Sequence, residues 1–453
     1  MEMRLREIAK IVKGELLSGK LDVKVSGIST DSRTIKAGDL FIALIGENYD
    51  GHNFVDDAFR KGAVGAIVSK PIKLAQPIIK VENTVYALGE IARAHRRKFD
   101  IPIIVVSGSN GKTTTKDMLA KILAKKFNTL RAERSFNNHI GVPLTLLKIT
   151  NQTEVAVLEL ETNILGETKR LAEIIDPLGV IITNIGDTHL EFLSSREKVA
   201  QEKAEILESL KSEGFAVLNR DDTWVMHIRD KSRANRLVTF GINNEADFHA
   251  TAIKKHGCTG IQFVLNQRHP VRLRVAGIYN VYNALAATAC ASMLGVTYDV
   301  IVEELENFEA SPMRGEIIEH KSIRIINDTY NANPQSMRGA IQVLEDVGGK
   351  RLIAVLADML ELGKVARDAH YELGKFIASS KVDIIVTVGK LARYIGEGVA
   401  TNSNEKMVYS YEDKSSAIKE LLNIVQPNDT ILIKGSRKMR MEEIVEHLRN
   451  IRD

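Results

Sequence analysis

The sequence predicts an α/β protein of three domains, and three observations carry that reading. The chain has 453 residues, which at the usual domain size makes about three domains. From residue 101 to residue 127 a buried-strand pattern passes through a glycine loop into an amphipathic helix. Beyond residue 312, short apolar strands alternate with amphipathic helices, the pattern of an open, largely parallel sheet. The boundaries fall at 1–100, 101–312 and 313–453.

The first block opens on MEMRLREIAKIVKG, charged and helical, with Leu5, Ile8, Ala9 and Val12 on one face. This is neither a signal peptide nor a transit peptide. Short strands and turn signals follow, in S-G-I-S-T-D-S-R and A-G-D-L-F-I-A-L-I-G, and the block closes on the basic tail of a helix, Arg93-Ala-His-Arg-Arg-Lys98. The second block begins with the strand pattern Ile101-Pro-Ile-Ile-Val-Val106. The helix after its glycine loop puts Met118, Leu119, Ile122, Leu123 and Phe127 on one side. Further buried strands read at 155–160 and 180–185. In the third block, strands read at 323–326, 352–356, 384–388 and 430–433. A cleft between two such sheets is a natural place for two substrates to meet.

Composition excludes several classes. Lys and Arg number 62 against 58 Asp and Glu, a net charge of +4. With no basic block interleaved with aromatics, nucleic acid is not an expected partner. No apolar run reaches the length of a membrane span. Cys258 and Cys290 follow no metal spacing and suit a reducing compartment. The expectation is a cytoplasmic protein, and nothing in the sequence calls for more than a monomer.

The glycine loop is Ser107-Gly-Ser-Asn-Gly-Lys-Thr-Thr-Thr-Lys116. The Walker pattern G-x-x-x-x-G-K-[ST] wants a glycine at 106, where Val106 stands; the glycine is Gly108. Lys112 can still reach terminal phosphate oxygens, and Thr113 can offer a hydroxyl to Mg²⁺. Gly108 and Gly111 let backbone N–H groups approach a phosphate. The bland alternative is a tight Gly-Asn-Gly turn before a helix. Such a site needs a second metal ligand on a neighbouring strand, and Val155-Ala-Val-Leu-Glu159 ends in one, although charged residues at strand ends are also commonplace. Thr183-Asn184 closes the next strand, and His189 lies just beyond it, where α/β sheets place their sites. On the helix at 195–210, Lys203 falls on the apolar stripe of Val199, Ile206, Leu207 and Leu210. A lysine so placed ordinarily runs its stem along the core. The alternative is a desolvated amine that takes up CO₂ as a carbamate, turning a cation into an anion beside two Mg²⁺ ions. No Asn in the chain precedes a Lys, so the guanine-reading motif of GTPases is absent. A P-loop kinase of a small metabolite stays open, as does a sensor that binds without catalysis.

Gly108-Ser-Asn-Gly-Lys-Thr-Thr114 resembles the short P-loop of the Mur ligases, ATP-dependent amide-forming enzymes of peptidoglycan precursor synthesis, which ordinarily lacks the outer glycine. The chain resembles in particular the branch that joins D-alanyl-D-alanine to UDP-N-acetylmuramoyl-tripeptide. Asp328-Thr-Tyr-Asn-Ala-Asn-Pro334, Asp358-Met-Leu-Glu-Leu-Gly363, Lys434-Gly-Ser-Arg437, Asn137-Asn-His-Ile-Gly-Val-Pro143, Thr30-Asp-Ser-Arg33 and Asp50-Gly-His52 carry that likeness. The branch that adds the third amino acid is the alternative; the D-N-P-R of its diaminopimelate version is missing.

The resemblance implies a small α/β domain for the UDP end of the substrate, a central P-loop ATPase-like domain and a Rossmann-like third domain for the dipeptide. It implies that Ser29, Thr30, Asp31, Ser32 and Arg33, with Asn137 and Asn138, meet the UDP-substrate. ATP would lie on Gly108, Ser109, Asn110, Gly111, Lys112, Thr113 and Thr114, with Asn280 and Asn283 on the adenine side, Arg314 at the phosphates and Asp328 at the ribose. One Mg²⁺ would sit on Thr113 and Glu159. The other would sit on His189 and a carbamylated Lys203. Asn331, Asn333, Asp358 and Arg437 would meet the dipeptide. The sequence departs from that family's usual residues at His139 (acidic), Tyr279 (His), Ala357 (Gly) and Glu161 (Gly). A carboxylate at 161 would repel a γ-phosphate unless it turned away or met a metal.

Overall fold

Three mainly parallel sheets follow one another along the chain in the computed structural model, which describes residues 3–133 and 136–450. Helix Leu5–Ile11 buries Leu5, Ile8 and Ala9, and the first sheet behind it runs in the order Glu15–Ser18, Ile78–Lys80, Gly65–Val68, Asp39–Ile42, Gly27–Ser29. Only the Glu15–Ser18 edge is antiparallel. Helix Thr84–Arg96 leads out of this unit and ends in the basic run, as its composition predicts.

The central sheet has nine strands. Strand Ile103–Ser107, fully buried, is flanked by Val155–Glu159 on one side and Gly179–Ile182 on the other. Beyond Val155–Glu159 lies only the edge strand Thr129–Arg131; beyond Gly179–Ile182 come Phe215–Asn219 and Arg236–Gly241. The chain thus switches direction at Ile103–Ser107, and the carboxyl ends of three adjacent strands open onto one crevice. The sheet extends further than the sequence suggests. Strand Phe248–Lys255 leads into antiparallel Ile261–Leu265 and His269–Leu273. Their alternating burial belongs to a half-solvated ribbon, not to the continuous apolar runs that mark the buried strands.

The third sheet runs Glu316–His320, Ile323–Asp328, Asp429–Lys434, Arg351–Ala357, Ile384–Val388, Met407–Tyr411. All neighbours are parallel except the first pair, a hairpin. The four strands read from sequence are present; the two edge strands, in which no side chain is fully buried, are additional. The second and third units meet in two ways. On one side Ala276 and Tyr279 pack into the apolar cluster of helix Pro334–Val347, with Met337, Ala340 and Val343. A Cβ on Gly339 of that helix would stand 3.5 Å from the Tyr279 ring. On the other side lies the crevice, where the contacts are polar.

Candidate active site

The loop after Ser107 is held by its neighbours before any ligand arrives. Gly108 has φ +133°, and a Cβ there would stand 2.1 Å from the Thr183 hydroxyl, so only glycine fits. Asn184 straps the loop from the next strand: its Oδ1 accepts from Asn110 N (2.9 Å) and its Nδ2 donates to Asn110 O (2.9 Å). Ser109 Oγ lies 3.1 Å from the Thr188 hydroxyl and accepts from Gly186 N. Gly111 (φ +82°) precedes helix Lys112–Leu123, whose first turn presents unpaired backbone N–H groups beside the half-buried Thr114. Asn283 lies directly against this turn, its Oδ1 accepting from Thr115 Oγ1 (3.2 Å) and its Nδ2 donating to Asn280 Oδ1 (3.0 Å). Both asparagines are buried. They brace the loop from behind.

Around Lys112 three carboxylates and a histidine converge. Lys112 Nζ donates to the Gly108 and Ser109 carbonyls (2.8 and 3.2 Å) and to Glu161 Oε1 (2.8 Å). Thr113 Oγ1 donates to Glu159 Oε2 (2.9 Å), and buried Lys116 lies 3.6 Å from the same oxygen. Asn137 spends its two amide hydrogens on two carboxylates, Glu159 Oε1 at 2.9 Å and Glu161 Oε2 at 3.0 Å. It therefore stands at the carboxylate pair. Its neighbour Asn138 caps helix Gly141–Leu146 through Ile140 N and Gly141 N.

His189 sits at φ +55° and Glu361 at φ +61°, conformations that cost non-glycine residues about 1–3 kcal/mol and cluster at functional sites. His189 Nδ1 is 2.6 Å from Glu361 Oε2, and Nε2 is 3.3 Å from Glu161 Oε1. Glu361 comes from the loop after strand Arg351–Ala357 of the third sheet, within the quoted D-M-L-E-L-G motif, and sequence reasoning gave it no role. A carboxylate on Nδ1 fixes the ring so that Nε2 faces the crevice, the usual support of a metal-binding histidine.

Electrostatics follow from this packing. Burial alone would raise the Glu161 carboxyl, but Lys112 and His189 outweigh it and hold it well below the ordinary range. Burial disfavours a charged His189, yet the hydrogen bonds to Glu161 and Glu361 raise it. The hydrogen bond from His189 in turn lowers Glu361 against its own burial. A raised histidine stabilises the fold below its unfolded value and loses that contribution as pH rises through its folded value; lowered carboxylates lose theirs as pH falls. In nucleotide-free protein the His189–Glu361 contact should be firmest between roughly pH 4.3 and 6.5. The Tm difference between wild type and Glu361→Gln should shrink as pH rises past the His189 value. Parallel Tm curves across that range would refute this assignment.

The third unit supplies more to the same crevice. Arg314 Nη2 donates to Thr113 Oγ1 (3.0 Å) while its guanidinium lies 3.5 Å over the Tyr330 ring. Asn333 caps helix Pro334–Val347 through Ser336 N and donates from Nδ2 to Asn110 Oδ1 (2.7 Å). It is thus a P-loop partner; Gln335 is another, accepting from Asn110 Nδ2 (3.0 Å). Asp328 pairs with Lys434 Nζ (2.7 Å), which also donates to the Asn331 carbonyl. Asp358 is buried and accepts from Leu391 N and Ala392 N, so its Oδ1 is already committed to backbone. Arg437 pairs with Glu442 (2.7 Å). In the first unit the 29–33 turn is self-contained: Ser29 Oγ donates to the Asp31 carbonyl, and the Arg33 guanidinium holds the Asp31 carboxyl down at about 2.

Two expected groups can be tested against these donors. Thr113 and Glu159 offer hard oxygen ligands beside the phosphate loop, as Mg²⁺ requires. Lys203 is different. Its Nζ lies 2.7 Å from Glu202 Oε2, with both side chains buried, and that oxygen has no hydrogen-bond partner besides this ionic contact. Glu202 Oε1 accepts from Thr162 and Thr168. A carbamate on Lys203 would set an anion against a buried carboxylate, so the expected carbamate does not fit the residues present.

Comparison with known proteins agrees with this architecture. Residues 24–97 match the model of the Mur ligase family catalytic domain, 106–291 the Mur ligase middle domain, and 313–437 the Mur ligase glutamate ligase domain. The UDP-N-acetylmuramoyl-tripeptide–D-alanyl-D-alanine ligase of Bacillus subtilis is 34% identical over 98% of both chains. That of Escherichia coli is 33% identical over 99% of this chain and 98% of its own. A crystal structure of MurF from Acinetobacter baumannii superposes with a TM-score of 0.92 at 33% identity, covering 100% of this chain and 99% of that one. MurF from Thermotoga maritima in complex with ADP gives 0.83 at 27%, covering 94% and 97%. Full-length identity, three successive domain matches and one shared architecture place this chain in the Mur ligase family, on the branch that carries these MurF relatives.

Proposed function

We propose that this protein joins D-alanyl-D-alanine to UDP-N-acetylmuramoyl-tripeptide at the expense of ATP, in the cytoplasmic synthesis of a peptidoglycan precursor. The observation that carries the reading is the meeting of Arg314 and Thr113: a cation from the third unit reaches the phosphate loop of the second. A nucleotide there would touch both units, and a second substrate entering from the third would find the γ-phosphate between them.

A carboxylate does not condense with an amine at neutral pH, because oxide is too poor a leaving group. Transfer of the γ-phosphoryl group to the peptide carboxylate makes an acyl phosphate and releases ADP. The neutral amine of the dipeptide then attacks the carbonyl carbon, loses a proton, and expels phosphate as the amide forms. The first step brings one anion onto another. Lys112 and Arg314 offset that repulsion, and the backbone N–H groups at the start of helix Lys112–Leu123 receive phosphate oxygens. Mg²⁺ held by Thr113 and Glu159, with a second ion at His189, would supply further neutralisation of the transferring group. Because an α-amino group titrates near pH 8, the amine step should favour mildly alkaline solution. Water would hydrolyse the acyl phosphate, so the polar lip between the units must be shut during chemistry.

Phosphate release tests the reading. With ATP and UDP-N-acetylmuramoyl-tripeptide, release should depend on added D-Ala-D-Ala and not on single amino acids. Release with a single amino acid alone would point to the branch that adds the third residue, and a stable phosphorylated product without amine would point to a kinase. A monomer suffices for this chemistry, since every group invoked comes from one chain. Among the described residues no helix is long and apolar enough to cross a membrane.

A further inference from the structure

We propose that Glu161, and not a carbamate on Lys203, is the anionic ligand that works with His189 at the second Mg²⁺ ion. The inference rests on the ATP-ligase reading above and concerns only how its second metal is held.

Three observations support it. The first is negative: Lys203 is matched by Glu202 in a buried pair, so the nitrogen that would carry a carbamate already neutralises a carboxylate. Converting it to an anion would leave Glu202 unpaired away from water, an arrangement proteins avoid. The second is positional. His189 Nε2, aimed by Glu361 on the far side of the ring, looks directly at Glu161 Oε1, 3.3 Å away. Two atoms bound side by side on an octahedral ion at about 2.1 Å stand about 3 Å apart, so these two need little movement to share one. The third is that Glu161 is held in register with the first-metal carboxylate. Asn137 grips Glu159 and Glu161 with the two hydrogens of one amide. Two carboxylates fixed by one donor are placed to serve two neighbouring ions.

The present partner of Glu161 completes the picture. Without ligands its Oε1 lies 2.8 Å from Lys112 Nζ, where it balances the lysine that a phosphate would otherwise balance. When a metal–nucleotide complex enters, the carboxylate passes from the ammonium to the ion, and Lys112 is released to the γ-phosphate. One side chain thereby keeps the empty site neutral and holds metal in the filled one. A carboxylate in this place does not repel the γ-phosphate, because the metal lies between them.

The test counts metals. Mn²⁺ is titrated into full-length protein with a non-hydrolysable ATP analogue and UDP-N-acetylmuramoyl-tripeptide, and bound ion is followed by electron paramagnetic resonance. Wild type should bind two ions per chain. Glu161→Ala and the isosteric Glu161→Gln should each weaken the second ion by more than about 10-fold while leaving the first. The paired variant Lys203→Met with Glu202→Gln, which strands no buried charge, should still bind two. Wild type incubated with ¹³C-bicarbonate should show no lysine carbamate resonance. A carbamate signal that vanishes in the paired variant, two tight ions in both Glu161 variants, or a single ion in wild type would overturn the inference. Failure of D-Ala-D-Ala-dependent phosphate release in wild type would instead overturn the ligase reading, so the two can fail separately.

Discussion

Lys112→Met should lower kcat/KM for amide formation by roughly 10³-fold, the scale of losing a principal donor to a charge that develops in the transition state. The lysine does two jobs that the variant would separate. Its bonds to the Gly108 and Ser109 carbonyls shape the loop, and on the ATP-ligase reading its charge would meet the transferring phosphoryl group. Because the change also leaves Glu161 without its closest cation, some loss of Tm should accompany it. Adding Glu161→Gln to Lys112→Met should return the Tm without returning the rate. Phosphate-release kinetics alongside thermal melts would check both parts. A Lys112→Met enzyme within 10-fold of wild type would remove Lys112 from the chemistry.

Arg314→Lys should cost roughly 10²-fold in kcat although the charge is kept, because a lysine neither stacks as a plane nor donates as a fork. The guanidinium lies flat on Tyr330 and reaches Thr113 from there. An ammonium on a shorter stem keeps neither the platform nor the reach. Tyr330→Leu should produce a smaller loss of the same kind, since it removes the platform and leaves the charge. Single-turnover kinetics would separate these effects from nucleotide affinity. If Arg314→Lys turned over at the wild-type rate, the arginine would be a structural tie alone.

Much of the central site was readable from residues 101–203 because it is made of local signals. A buried strand, a glycine loop and a helix lie consecutively, and Glu159 and Asn184 mark the ends of strands hydrogen-bonded to that strand or its neighbour. What the sequence hid is contact across long separations. Glu361 meets His189 across 172 positions, and Asn333 meets Asn110 across 223; no periodicity connects such pairs. Polar residues in recognisable motifs also turned out to have backbone duties that composition cannot reveal. Asp358 caps the start of the 391–392 turn, and Asn138 caps a helix. Lys203 was legible as a buried lysine, but not its partner. Glu202 shares the stripe, three residues after Val199 and four before Ile206, and a buried carboxylate next to a buried amine changes what that amine can become. The edge strands Glu316–His320 and Met407–Tyr411 escaped because none of their side chains is fully buried, so they lack the continuous apolar run of the central strands.

The two unlike halves of the contact between the second and third units give the enzyme an axis. At Tyr279 and Ala276 the surfaces are apolar and interleaved with helix Pro334–Val347, so parting them would wet oily side chains. At Asn110, Thr113 and His189 they touch only through hydrogen bonds and charge, which water can replace at little cost. Such a joint should swing as a door does, with a dry hinge and a wet latch. Salt should loosen the latch, where charges are screened, and leave the hinge alone. Scattering should then show the apo protein expanding with ionic strength, and the ATP analogue with UDP-substrate drawing it shut again. Unchanged dimensions under both treatments would mean that the door is welded. On this view Tyr279 is the pin about which Arg314 would be carried to the phosphate.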